Sequence, residues 1–318
     1  MTVVRVALPI PLRVHFDYLC DTEVSPGCRV MVPFGKRELI GIVWQLNPSD
    51  SYDVTQLKTV TQVLDQTPVL AAPIRQLLSF AADYYHHPLG DVLTSALPAL
   101  LRDGKNADPV KGHSYSLTEA GQHLTAEQFK AAKKRLALWQ QLQQPQTETQ
   151  LLEHFQRKEL QYFVEQGWAH VTPVLYGPYQ TAAEQQKSLP LNPAQALAMT
   201  AVQQALGSFS CFLLEGVTGS GKTEVYLQAI SPVVQRGGQV LVLVPEIGLT
   251  PQTLARFEQR FAVPVGVWHS NMTDLERFTV WQRCQTGDLA IVIGTRSALF
   301  LPFFKLDLLI IDEEHDHS

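Results

Sequence analysis

Residues 213–226, LLEGVTGSGKTEVY, constrain this chain more than any other stretch. Gly216, four free positions, then Gly221, Lys222 and Thr223 fill the G-x-x-x-x-G-K-[ST] phosphate-loop pattern at every specified position. Gly216, Gly219 and Gly221 let the backbone curl until successive N–H groups, with Ser220 among them, point inward at phosphate oxygens. Lys222 brings charge to the outer phosphates, and the Thr223 hydroxyl suits a magnesium ion. The apolar run 211–214 reads as a buried strand entering the loop and 224–230 as a helix leaving it, so phosphate sits at a helix N-terminus. A chance glycine turn does not account for strand, loop and helix in that order. The expected nucleotide-binding set is Gln195, Gly216, Gly219, Ser220, Gly221, Lys222, Thr223, Glu224 and Asp312.

Asp312 enters through a second stretch. The apolar run 306–311 reads as a strand, probed at its tip by Asp312, Glu313, Glu314 and His315. Open α/β sheets bind ligands at the carboxyl ends of their strands, so Asp312 is placed to share the magnesium with Thr223 and Glu313 to polarise an attacking water. With Lys222, these are the expected catalytic residues; His315 is expected to couple the nucleotide site to whatever moves. Together the two stretches resemble the phosphate loop and D-E-x-H box of superfamily 2 helicases and translocases.

Between them strand and helix alternate: strands at 240–244, 265–268 and 289–293, with helices through Leu254 and Phe261 and through Leu275 and Trp281. That pattern predicts a mostly parallel, doubly wound sheet of RecA type with the 306–311 strand central. Asn192 can cap a helix begun by Pro193, and the Gln195 amide can present donor and acceptor to an adenine edge.

The rest of the chain divides into a β-rich segment 1–106, a helical, Gln-rich segment 107–176, a polar linker 177–190 and the nucleotide lobe 191–318. Short β-rich runs punctuated by Pro and Gly predict a small barrel or sandwich at the start, followed by helices from Ala72 to near Leu101. Phe16, Asp17 and Tyr18, and the PFGK run at Pro33–Lys36 in sequence, read either as core plus turn or as a site. His86 and His87 are adjacent and cannot converge from one helix face, which favours a helix junction over a metal site. Three helices and a strand in the second segment suggest a winged helix; its cluster Lys130, Lys133, Lys134 and Arg135 reads as a solvated helix face or a DNA contact. The fold expected overall is multidomain, α/β and α+β.

The net charge is −5 and no segment is a basic arm, so binding of nucleic acid must come from local clusters and shaped pockets. Cys20, Cys28, Cys211 and Cys284 form no C-x-x-C pair, which argues against a zinc site or a disulfide framework in this stretch. Met1 leads directly into a strand-like run without a signal peptide, and the chain reads as cytoplasmic.

The set GVTGSGKTEVY, VPEIGLTPQ, GTRSALF and DEEHD, with ALPIPL, FDYL, VPFGK and ADYYHHPLGDVL, resembles the PriA family of bacterial primosomal replication-restart DNA helicases along the whole chain. The resemblance implies an ATP- and Mg2+-dependent 3′-to-5′ helicase, nucleoid-associated, that recognises stalled or D-loop forks and starts primosome assembly. It implies a 3′-end DNA-binding domain, a winged helix and a first helicase lobe. It also implies a pocket for the 3′ end of a nascent leading strand, mapping here to Phe16, Asp17, Tyr18, Gly35 and Lys58. PriB, DnaT and single-stranded DNA-binding protein are its implied partners, and zinc is expected only in a cysteine-rich part that this sequence lacks. The family's second lobe, which carries the arginine finger, is expected beyond Ser318; this stretch reads as the N-terminal portion, inactive alone, with its first two domains as the stable part.

Overall fold

The computed structural model describes residues 1–318 except 51, 52, 131, 182–187, 218 and 314–318. The chain forms two units, Met1–Ala107 with Gly177–Ser318, and Asp108–Tyr176.

The first segment contributes β1 (Thr2–Ala7), β2 (Phe16–Cys20), β3 (Arg29–Phe34), β4 (Arg37–Leu46) and β5 (Gln62–Val63), in the antiparallel order β2-β1-β4-β3-β5. Period-two alternation sends Val4 and Val6 from β1, and Val30 and Val32 from β3, into one core, where all four are fully buried. The chain at 58–63 then joins the two free edges. Leu19 N–H donates to the Lys58 carbonyl at 2.9 Å and Val60 N–H to that of Leu19 at 2.8 Å, while Thr61 N–H donates to Met31 at 2.8 Å. The sheet thus closes into a small barrel and leaves no long unpaired edge.

Helices α1 (Ala72–Tyr84), α2 (Leu89–Ser95) and α3 (Ala99–Arg102) follow. The sequence expects one helix to run to about Leu101; it breaks into α2 and α3 because Pro98 lacks an N–H and pushes Leu97 out of the helical region. Gly90 lets α2 lie on β1, since a Cβ there would come within 1.7 Å of the Leu8 carbonyl oxygen. The fully buried Arg29 clamps the segment, pairing with Asp65 at 2.6 Å and donating to the carbonyls of Leu101 at 2.5 Å and Lys105 at 2.9 Å.

The unit Asp108–Tyr176 runs β6 (Val110–Leu117), α4 (Glu119–Gln122), α5 (Lys133–Gln141), β7 (Gln146–Thr147), α6 (Glu148–Leu152), α7 (Arg157–Glu165) and β8 (Ala169–Leu175). Its antiparallel sheet has the order β7-β6-β8. Reciprocal capping boxes at Thr147 with Gln150 and at Gln156 with Glu159 start α6 and α7. Leu138, Leu151, Leu160 and Phe163 fill a separate core with Phe129, whose ring stacks on Phe163 at 6.0 Å.

The nucleotide lobe runs α8 (Pro193–Ala205), α9 (Lys222–Gln235), β9 (Gln239–Leu243), α10 (Pro251–Arg260), β10 (Val265–Trp268), α11 (Asp274–Gln285), β11 (Ile291–Gly294) and β12 (Leu306–Ile311). Its four strands are all parallel, in the order β10-β11-β9-β12. Every residue of β9 is buried, as expected of a strand covered on both faces. Two expectations fail here. The run 211–214 forms no strand: Phe212 and Leu213 are 51% and 76% exposed and have no ladder partner among the described residues. And β12 is not central but outermost among the described residues, where it pairs with β9 alone and leaves Leu309 and Ile311 40% and 53% exposed. The cause is common to both, since a strand exists through its neighbours and apolar character does not supply them.

Lobe and barrel share a core. Leu70, Leu93 and Leu101 pack in one cluster with Trp268, Phe278, Trp281 and Leu289, and the Lys105 ammonium lies 4.7 Å from the centre of the Phe278 ring. Among the described residues no helix is long and apolar enough to cross a membrane.

Candidate functional site

The loop after 211–214 keeps the conformation its glycines permit. Gly219 and Gly221 have φ of +81° and +82°, a region costly for any other residue, and Gly221 is the N-cap of α9. Thr223 is half-buried in the first turn of that helix. Lys222 folds back over the loop, its Nζ donating to the Gly216 carbonyl at 2.6 Å and reaching that of Val217 at 3.4 Å. An ammonium held, among the described residues, by exposed loop carbonyls is poised to exchange them for phosphate oxygens. The open face at Gly219, where an added Cβ would meet nothing within 4 Å, leaves room for the exchange.

Gln195 lies against the loop. Its Nε2 donates to the Ser220 carbonyl at 2.9 Å and its Oε1 accepts the Asn192 N–H at 2.9 Å, while Asn192 Oδ1 caps the Gln195 N–H. A primary amide has two N–H donors and two lone pairs, so one of each remains for an adenine edge. Glu224 is placed differently from its neighbours. Its carboxylate accepts from Leu189 N–H at 3.0 Å and from Gln228 Nε2 at 2.8 Å, and faces Arg260 at 3.5 Å. It therefore faces the linker.

Asp312 stands at the carboxyl end of β12, its N–H bonded to the Leu243 carbonyl at 2.9 Å. The Tyr226 hydroxyl, one turn along α9 from Thr223, donates to Asp312 Oδ1 at 3.3 Å. Burial, and then the Asp312 charge, push the Tyr226 phenol up to about 12, so it stays a donor across the physiological range. This link between the loop helix and the acidic box carries no sequence motif and escapes sequence reasoning. Glu313 follows at φ +50° and is exposed; His315 lies outside the described residues.

The neighbouring strand ends carry further polar groups. Ser270 hydrogen-bonds to Glu246, Trp268 Nε1 donates to Ser297 Oγ at 2.9 Å, and Arg277 donates to the carbonyls of His269 and Ser270, both at 3.0 Å. Arg277, on α11, also lies 5.5 Å from the centre of the Trp268 ring and so fixes the end of β10.

At the barrel, Phe16 and Phe34 meet edge to face at 5.4 Å beside Gly35, whose φ is +61° and whose added Cβ would meet nothing within 4 Å. Tyr18 is buried with its hydroxyl 3.3 Å from the Pro33 carbonyl, and Lys58 is exposed with its backbone tied to Leu19. The structure thus gathers Phe16, Tyr18 and Gly35 at one end of the barrel. Asp17 does not open beside the two rings: strand alternation turns it to the other face of β2, where its side chain is 1% exposed. There it takes two hydrogen bonds from Arg5, at 2.9 and 3.0 Å, and Arg5 also reaches Asp50 at 2.9 Å. The Asp17 bond is the largest cause that raises the Arg5 pKa further.

His86 lies two residues beyond α1 at φ +57°, where its carbonyl accepts from Arg13. Among the described residues no three His, Cys, Asp or Glu side chains gather as metal ligands.

Residues 5–98 match the 3′ DNA-binding domain (3′BD) family and residues 192–318 the DEAD/DEAH box helicase family. The chain is 41% identical over 331 residues to the replication restart protein PriA of Haemophilus influenzae, covering 100% of this chain and 45% of that protein. It is 29% identical over 379 residues to the Bacillus subtilis protein of the same name, covering 95% and 47%. With that of Buchnera aphidicola it shares 30% over 330 residues, covering 99% and 44%. The chain therefore spans about half the length of the curated relatives it matches.

Proposed function

We infer that this chain, which belongs to the PriA replication-restart family over its whole length, supplies the DNA-end-binding and ATP-binding parts of an ATP-dependent 3′-to-5′ DNA helicase. The observation that carries this reading is the loop at 216–223 facing Asp312 across the Tyr226 bond, in the same unit as the barrel. Phosphate is received by the loop N–H groups and Lys222. Thr223 and Asp312 are the residues that would hold magnesium, which when bound polarises the terminal phosphate. Glu313 orients the water, and Gln195 reads the adenine edge with its spare donor and acceptor.

At the barrel, a terminal base stacks on Phe16 beside Gly35, and Lys58 meets the backbone charge. Such a stack contributes about 1–3 kcal/mol. Tyr18 supports the pocket from within, and Asp17 fixes its strand through Arg5. In the second unit, α5, α6 and α7 followed by β8 support a winged-helix reading, with the exposed Lys133 and Lys134 offered to DNA. A role at stalled forks in the cytoplasm, at the nucleoid, belongs to the same reading, as do PriB, DnaT and single-stranded DNA-binding protein as partners and zinc outside this stretch.

Binding of Mg-ATP by calorimetry, and of forked DNA with a free 3′ hydroxyl by fluorescence anisotropy, tests the division of labour. Lys222→Ala should abolish the first and leave the second within about twofold, since phosphate contacts and base stacking are separate contributions. Comparable loss of both in a folded variant would overturn it.

One observation favours a second reading, a DNA-end module with an idle lobe. The run 211–214, without a ladder partner among the described residues, leaves the phosphate loop without an anchored entry strand. Turnover by this chain should then be near background with or without DNA, as a steady-state phosphate-release assay would show; DNA-stimulated hydrolysis would exclude it.

A further inference from the structure

The strap at 188–190 crosses the nucleotide lobe and is held by side chains that sequence motifs do not assign to it. Ser188 Oγ accepts from Arg260 Nη2 at 2.5 Å, Leu189 N–H donates to Glu224 Oε1 at 3.0 Å, and the Leu189 carbonyl accepts from Gln228 Nε2 at 2.8 Å. Gln228 also donates to Glu224 at 2.8 Å, and Arg260 faces the same carboxylate at 3.5 Å. The Glu224 and Arg260 side chains are 14% and 4% exposed, so the lobe side of the clasp is largely shielded from water, where a charge-assisted bond is stronger, while Leu189 itself is exposed. Glu224 directly follows Thr223 of the phosphate loop, and only Leu191 separates the strap from the cap at Asn192 that sets Gln195 against Ser220. One carboxylate therefore joins the segment that would read the base to the helix that would hold the phosphates.

We propose that Glu224 is a positioning residue for nucleobase selectivity: it clasps the strap at Leu189 and so fixes Gln195 relative to the phosphate loop, without itself touching the nucleotide. This rests on the ATP site proposed above. If Glu224 acts this way, its loss loosens the base-reading segment and leaves the phosphate cradle, built from residues 216–223, in place. A residue that bound phosphate or its magnesium directly would instead weaken every ligand carrying a diphosphate.

Binding of ADP, GDP and inorganic pyrophosphate to the intact chain, each with magnesium and followed by calorimetry, separates the two. Glu224→Ala should lower the ratio of ADP to GDP affinity about tenfold, in line with loss of a hydrogen bond to a charged group, while pyrophosphate affinity stays within about twofold. Because Glu224→Ala also removes a partner of the buried Arg260, Leu189→Pro provides a second variant. It deletes the N–H that Glu224 accepts, at a residue 63% exposed, and leaves α9 and α10 untouched. The same fall in selectivity in Leu189→Pro is expected. Equal weakening of all three ligands in Glu224→Ala, or unchanged selectivity in a folded Leu189→Pro, would overturn the clasp. Failure of the unaltered chain to bind even pyrophosphate would overturn the nucleotide site, and the clasp with it.

Discussion

Arg5 donates two hydrogen bonds to Asp17 with side chains only 9% and 1% exposed, so removing one partner alone leaves the other charged and buried. Asp50, 74% exposed, is a weak substitute, because an exposed carboxylate offers Arg5 a largely screened interaction. Asp17→Ala should therefore destabilise the unit by about 3–5 kcal/mol in urea denaturation, the usual cost of breaking a buried pair. Replacing both, as Arg5→Leu with Asp17→Leu, should recover most of that loss. Affinity for a free 3′ hydroxyl and for a 3′-phosphorylated end should fall together in the single variant and return together in the double one. Selective loss of the free hydroxyl in Asp17→Ala, with stability unchanged, would mean that the carboxylate meets DNA directly. The chemistry of these residues is legible in the sequence, where Phe16, Asp17 and Tyr18 stand out. Their division between two faces of β2 depends on which face the barrel buries, and hence on Val4 and Val6 opposite.

The linker is built as an element of the lobe as well as a connection. Tyr179 Oη donates toward two carbonyls, Val234 at 3.0 Å and Gly238 at 2.7 Å, and its own N–H donates to Gly287 at 2.9 Å. Tyr179→Phe keeps the ring and deletes the hydroxyl, so it should cost about 1–3 kcal/mol, read as a lowered denaturation midpoint. The same bonds should fail with rising pH. Burial pushes the phenol up to about 12 from 10.0, so the stability it adds is fully present below pH 10 and lost as pH climbs through 12. A Tyr179→Phe variant should accordingly show a smaller loss of stability over that interval than the parent; identical losses would exclude Tyr179 as the titrating group. Features like the phosphate loop were readable because glycine spacing, lysine and threonine act within eight residues. The linker's contacts were not, since the bonds of Tyr179, Ser188 and the Leu189 backbone run to Gly287, Arg260 and Glu224, tens of residues away. Residues 211–214 misled for the opposite reason, being apolar enough for a strand that joins no ladder among the described residues.

At the scale of the molecule, Asp108–Tyr176 is an insertion within a continuous unit, and its two ends lie side by side. Val110 pairs with Leu175 across β6 and β8, and Tyr176 N–H donates to the Pro109 carbonyl at 2.8 Å. Its core of Leu138, Leu151, Leu160 and Phe163 is its own, whereas barrel and lobe share theirs through Leu93, Leu101, Phe278 and Trp281. Removing the lobe would expose the barrel side of that core, so protease trimming that spares only the first two segments, the outcome expected from sequence, is disfavoured by the packing. Insertions whose ends meet are the ones chains tolerate losing. Joining Pro109 to Tyr176 through two glycines, with 110–175 deleted, should leave a remainder that unfolds in one cooperative transition and binds Mg-ATP within about twofold of the parent, because the core shared by barrel and lobe stays whole. The excised segment 108–176, made alone, should show a cooperative transition of its own. A remainder that melts without cooperativity, or a protease-resistant core ending before the lobe, would show that the unit depends on its insertion.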